Sequence, residues 1–141
     1  MNILNSVLKI FVGDKQQKDL KLLQPIVEKT NAFAEAIGKL SNDELRAKSG
    51  EFKSKIKKAT NTFDTKIAEL EQEALTTDID RQEAIYEEID ALKDQAYEAS
   101  ETVLEELMPE AFAVIKETAK RFTNNTEIEV TATPFDRELS A

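Results

Sequence analysis

Asp78 and Asp80, separated by one isoleucine, have the spacing of the first oxygen ligands of a calcium loop. The glycine and distal glutamate that complete such a loop do not follow, so the pair is read as turn chemistry rather than a cation site. Lys53, Lys55, Lys57 and Lys58 could gather a phosphate, but no glycine-rich loop accompanies them. Cations in such a row also suit the end of a helix. A third set is interfacial. Ile3, Leu4, Val7, Leu8 and Phe11 recur at helical spacing within residues 2–12, with Lys9 among them and Lys15 and Lys18 just after. An apolar face edged by lysines can lie on an anionic lipid surface or against a partner, and these residues are the candidate binding site. The same face could equally dock onto the protein's own core, because a helix of this length needs a partner in water.

Composition excludes other chemistries. The 141 residues include no Cys and no His. Disulfides are impossible, ordinary zinc sites lack their ligands, and Ser-His-Asp or Cys-His nucleophile systems cannot be assembled. Net charge is −9 but unevenly placed, being +5 over residues 1–60 and −14 over residues 61–141. The acidic half would repel nucleic acid, and the basic half can approach an anionic surface. No apolar run is long enough to span a bilayer. The first residues also lack the pattern of a secretory signal, since Asn5, Ser6 and Lys9 interrupt them.

With three Gly and three Pro, the elements that must position these residues are long helices. Gly13 ends the first. Leu20, Leu23, Val27, Phe33, Ala34 and Ile37 stripe the second, in which Pro25 predicts a bend or a restart. Ser41-Asn-Asp-Glu44 has the form of a capping box and opens a helix through Leu45, Phe52 and Ile56, predicted to end among Lys53–Lys58. A heptad seam follows. Phe63, Ile67, Leu70 and Ala74 form one arm; Ile85, Ile89, Leu92, Ala96, Ala99 and Val103 form the other. The break at Leu75–Asp80 predicts an antiparallel hairpin with Thr77 or Asp78 as N-cap and an acidic outer surface at Glu83, Glu87, Glu88, Asp90 and Asp94. Pro109 predicts a fresh helix start, striped by Phe112, Ile115 and Ala119. Glu127-Ile-Glu-Val-Thr131 alternates as one strand, with Ile128 and Val130 on one face. A lone strand cannot satisfy its own ladder, so a neighbour outside the chain is expected. The fold class is therefore mainly all-α: a helical bundle with a long antiparallel coiled-coil-like hairpin and one short C-terminal strand.

Two blocks carry a resemblance. Phe11-Val-Gly-Asp-Lys-Gln-Gln-Lys-Asp-Leu-Lys-Leu-Leu-Gln-Pro-Ile-Val-Glu-Lys-Thr-Asn-Ala-Phe33, followed by Leu40-Ser-Asn-Asp-Glu-Leu-Arg-Ala-Lys-Ser-Gly-Glu-Phe-Lys53, resembles the N-terminal region of SecA, the ATP-driven motor of bacterial preprotein translocation. Leu107 to Arg121 resembles the helix that leads into that family's nucleotide-binding core. The likeness covers roughly residues 1–58 and 104–122. Between the blocks an acidic hairpin replaces the family's usual short connection. The adenine-contacting Gln motif, the Gly-Glu-Gly-Lys-Thr loop and the Asp-Glu box that would follow are not in the sequence.

The resemblance implies an N-terminal part of a translocase that supplies membrane or channel docking and scaffold helices to a motor. It implies no catalytic, cofactor or metal residue in this segment, with ATP and magnesium held elsewhere in the parent family. Implied partners are a SecY-type channel, an anionic lipid surface and, through the parent motor, preproteins, but no nucleic acid. The implied location is the cytoplasm, peripheral to the inner face of the plasma membrane. Residues 1–13 then form the amphipathic helix, 14–59 the family's N-terminal helices, 60–106 the hairpin insertion, 107–123 the helix leading to the motor core, and 124–141 a strand and tail. The alternative reading is a free-standing helical interaction module without enzymatic activity, its hairpin the working surface.

Overall fold

A computed structural model of the chain describes residues 15–141. Four helices occur among them: α1 (Lys15–Gly38), α2 (Asn42–Ala74), α3 (Ile79–Asn124) and α4 (Pro134–Leu139). The mainly all-α expectation holds. The chain divides into two compact units. The first comprises the described residues up to Leu40 together with Pro109–Glu127; the second comprises Ser41–Met108 together with Ile128–Ala141. Helix α3 contributes to both.

In the first unit, α1 runs unbroken through Pro25. Pro25 cannot donate to the carbonyl of Lys21, but both residues are exposed, where water can take over that acceptor. The expected restart is therefore absent. Thr30, Ile37 and Ala113 are buried here. Thr30 satisfies its hydroxyl on the Ile26 carbonyl at 2.8 Å, which lets a polar side chain sit inside. Arg121 closes the end of α1. Its Nη2 donates to the carbonyl of Leu40 at 2.7 Å, while its Nε donates to Glu117 at 3.0 Å. A cation here answers the orphan carbonyls at a helix C-terminus. Hydrogen bonding to Arg121, with Lys120 assisting, pulls the Glu117 carboxyl below its ordinary range.

In the second unit, the capping box forms as read. Glu44 N–H donates to the Ser41 hydroxyl at 3.2 Å, and Ser41 N–H donates to the Glu44 carboxylate at 2.7 Å. Helix α2 then passes through the lysines instead of stopping among them. Phe52, Ile56, Ala59, Phe63, Ile67, Leu70 and Ala74 keep one helical phase without a gap, and no glycine or proline lies between to break it. The lysines belong to the outer surface of a helix interior. Ala74, Ile85 and Ile89 form the buried cluster near the turn, with Ile67 and Leu70 packed against it. The two arms of the expected seam thus meet. Gln82 donates to the carbonyls of Ala74 and Thr77, both at 3.1 Å, and Thr77 donates to Glu73 O at 2.8 Å. These side chains supply the partners that the last turn of α2 lacks.

Pro109 does not start a helix; it lies inside α3. The cost of an interior proline is about 3 kcal/mol. Burial of Leu107 and Ala113 on either side, and the helix-forming residues that flank it, outweigh that cost. The strand expected over residues 127–131 is also absent. Residues 125–133 are irregular, and α4 follows, opened by a Thr133–Asp136 capping box with Pro134 in its first turn. An isolated strand has no ladder, and here helix side chains provide the partners instead.

Candidate functional site

Ile3, Leu4, Val7, Leu8, Lys9 and Phe11, and the helix expected over residues 2–12, lie outside the described residues. Lys15 and Lys18 are exposed on the first turn of α1. Just beyond them Leu20, Leu22, Leu23 and Val27 are exposed too, with Lys21 among them. The stripe Leu20, Leu23, Val27 is thus not packed inward, although Ile37 at the other end of the helix is 3% exposed. The same holds at the far end of α3, where Phe112 and Ile115 are more than half exposed. Among its described residues the first unit therefore presents two exposed apolar stripes, one on α1 and one on the end of α3. Phe122 extends the second.

The second unit holds a polar clasp that sequence reading missed. Asp43 and Arg46, on the first turns of α2, grip the segment that precedes α4. Thr131 donates its backbone N–H to Asp43 at 2.7 Å and its hydroxyl to the same carboxylate at 2.6 Å. Arg46 donates to the Thr131 carbonyl at 3.5 Å and to the Asp136 carboxylate, and Asn42 donates to the Glu129 carbonyl at 2.9 Å. Asp136 accepts in addition from the N–H and hydroxyl of Thr133, each at 2.8 Å. Thr131 therefore has both its backbone groups bonded, as it would beside a neighbouring strand. Hydrogen bonds from Thr131, with Arg46 nearby, hold the Asp43 carboxyl below its ordinary range. Arg46 first and Thr133 second hold that of Asp136 far below it. The sequence signals were available, in Thr-Pro-Phe-Asp for the cap and in the alternation for the extended chain. Its partners, some 85 residues earlier, were not.

Neither arrangement resembles a catalytic centre. No group of three or more acidic side chains that could hold a metal ion occurs among the described residues. A shallow open depression on α2 is lined by Asp64, Thr65, Ala68, Glu69 and Gln72. Asp64 there accepts from the Thr60 hydroxyl at 2.8 Å. No described helix is long and apolar enough to cross a membrane. What the geometry offers is surfaces: uncovered apolar stripes, and a clasp that fixes an exiting segment.

Residues 8–135 match the SecA DEAD-like domain family. The chain belongs to that family. It is 56% identical over 142 residues to the protein translocase subunit SecA of Christiangramia forsetii and 55% identical over 143 residues to that of Flavobacterium psychrophilum, covering all of this chain in both comparisons. A third relative, the SecA of Phocaeicola vulgatus, is 44% identical over 94% of the chain. The match covers the hairpin as well as the blocks that carried the resemblance. The chain spans only 12 to 13% of the length of these relatives. No solved structure matches it. It corresponds to a SecA protein translocase N-terminal region.

Proposed function

We propose that this segment docks and braces an ATP-driven protein translocase. The observation that carries the reading is the pair of uncovered stripes, Leu20-Leu23-Val27 and Phe112-Ile115, in a chain that spans 13% of its relatives. Exposed apolar area of this kind marks surfaces that another body covers. Here the cover is the motor itself, and α1 with the end of α3 act as its scaffold. Residues 1–21 supply the second role. Ile3, Leu4, Val7, Leu8 and Phe11 enter an anionic lipid interface or a SecY-type channel surface, and Lys9, Lys15 and Lys18 add about 1 kcal/mol each of attraction to anionic lipid. The anchoring is accordingly reversible, and the protein works from the cytoplasm at the inner face of the membrane, on preproteins.

Nucleotide chemistry belongs to polypeptide outside this segment. Its three glycines, Gly13, Gly38 and Gly50, lie far apart, so the sequence contains no glycine-rich phosphate loop. The segment itself holds neither ATP nor magnesium.

The test is binding of the intact polypeptide to vesicles with and without anionic lipid. Binding should fall as salt rises, and should weaken when residues 1–12 are removed. Unchanged binding after that removal would reject the anchoring role.

A further inference from the structure

Helix α3 carries a second apolar face that the hairpin does not use. Ile79, Tyr86, Tyr97, Leu104 and Met108 follow one another at intervals of 7, 11, 7 and 4 residues. Each interval is close to a whole number of helical turns, so all five share one side of the helix. None is buried, though coverage grows toward Met108, which is 37% exposed. Ile79 is 82% exposed, Tyr97 65% and Leu104 43%, whereas Ile89 on the inward seam is 1% exposed. From Ile79 to Met108 the stripe extends roughly 44 Å. Between Tyr86 and Tyr97 the charged pair Asp90 and Lys93 interrupts it, the Lys93 ammonium 3.5 Å from the Asp90 carboxylate.

The charge beside the stripe is one-sided. Glu83, Glu87, Asp94, Glu101 and Glu105 lie along its edge and are exposed. Residues 79–106 contain 10 acidic and 2 basic side chains. That charge repels an anionic membrane, nucleic acid and a second copy of the same hairpin. It attracts a cation. Apolar contacts that return to one side of a helix every seven, eleven or four residues give another helix a line on which to lay its own apolar face. Exposed tyrosines supply contact area at low entropic cost. We propose that the outer face of the hairpin, centred on Tyr86, Tyr97 and Leu104, is a docking site for a cationic amphipathic helix. The partner sets its apolar side on the stripe and its Lys or Arg residues against the acidic edge.

The test uses the intact polypeptide and a fluorescein-labelled 28-residue Leu/Lys amphipathic peptide, read by anisotropy. A Leu/Glu peptide of the same length serves as the control. The Leu/Lys peptide should bind and should shield Tyr86 and Tyr97 from oxidative footprinting, while the Leu/Glu peptide should not. The double variant Tyr97→Ser, Leu104→Ser should weaken binding about tenfold or more, the loss expected for central contacts. Both side chains are exposed, so helicity by circular dichroism should be unchanged. Glu101→Gln with Glu105→Gln should weaken binding and flatten its salt dependence. Equal affinity for the serine variant would overturn the proposal by showing that charge alone attracts the peptide. Tyr86 and Tyr97 already shielded in the intact polypeptide would also overturn it, because the chain or a second copy then covers the face itself. Vesicle binding that is lost in the serine variant would place a membrane there instead, and would equally reject the helix.

Discussion

Asp43, Arg46 and Asp136 show how far a few side chains can carry a piece of irregular backbone. Residues 129–133 have no strand beside them among the described residues, so their polar groups would otherwise rely on water. Three side chains from the first turns of α2 take that place. The pH response follows from the direction of the shifts. Asp43 and Asp136 are both held below their ordinary value in the folded chain, Asp136 the further of the two. A carboxyl with a depressed folded pKa stabilises the fold above its unfolded pKa and loses that contribution as pH falls through the folded one. The clasp should therefore be fully closed above about pH 5, persist through about pH 4, and open only in stronger acid. Amide exchange at Thr131, followed by NMR across that range, checks this. Asp136→Asn should accelerate exchange at Thr131 and Thr133 at neutral pH. An unchanged rate would mean that the clasp does not hold the segment.

At the scale of single elements, α2 and the first part of α3 are held by one apolar seam and by deliberate ends. Ile89 lies at the centre of that seam, and truncating it to Ala should cost roughly 3 kcal/mol in urea unfolding, the usual range for a buried aliphatic being about 2–5. Gly50 makes the opposite case. It lies in the interior of α2, and a Cβ built there meets no atom within 4 Å. Gly50→Ala should raise stability by about 0.5–1 kcal/mol, seen as a higher Tm, because the unfolded chain loses freedom and nothing clashes. Element boundaries were the least legible part of the sequence. The lysine row at 53–58 has the composition of a helix end, and Pro109 that of a helix start. Both lie in helix interiors: the apolar phase of α2 runs on beneath the lysines, and Pro109 sits between the buried Leu107 and Ala113.

For the molecule as a whole, the uncovered stripes of the first unit make a prediction that separates scaffold from ornament. Leu23 and Phe112 are each about half exposed. In the segment alone, Leu23→Ser and Phe112→Ser should change unfolding by no more than about 0.5 kcal/mol, as surface substitutions do. If a motor covers these stripes as proposed, the same changes in a polypeptide of the relatives' full length should lower its melting temperature, because they would remove contacts across a buried boundary. Equal, small effects in both settings would count against the scaffold role.

The helical class, the capping box at Ser41, the hairpin and both arms of its seam were legible in the residues alone. All rest on local chemistry, in which each residue's partners lie three, four or seven positions away, or across one tight turn. The family resemblance was legible for the same reason, since it rests on short contiguous blocks. The clasp was not, nor was the exposure of Leu20, Leu23, Val27, Phe112 and Ile115. Periodicity marks which residues share a face, but it does not name the body that covers that face. Thr131 meets Asp43 across 88 positions. No local pattern encodes such a meeting. Only the folded chain decided which apolar stripes close on each other and which stay exposed, because burial is set by what arrives in space rather than by what is adjacent in sequence.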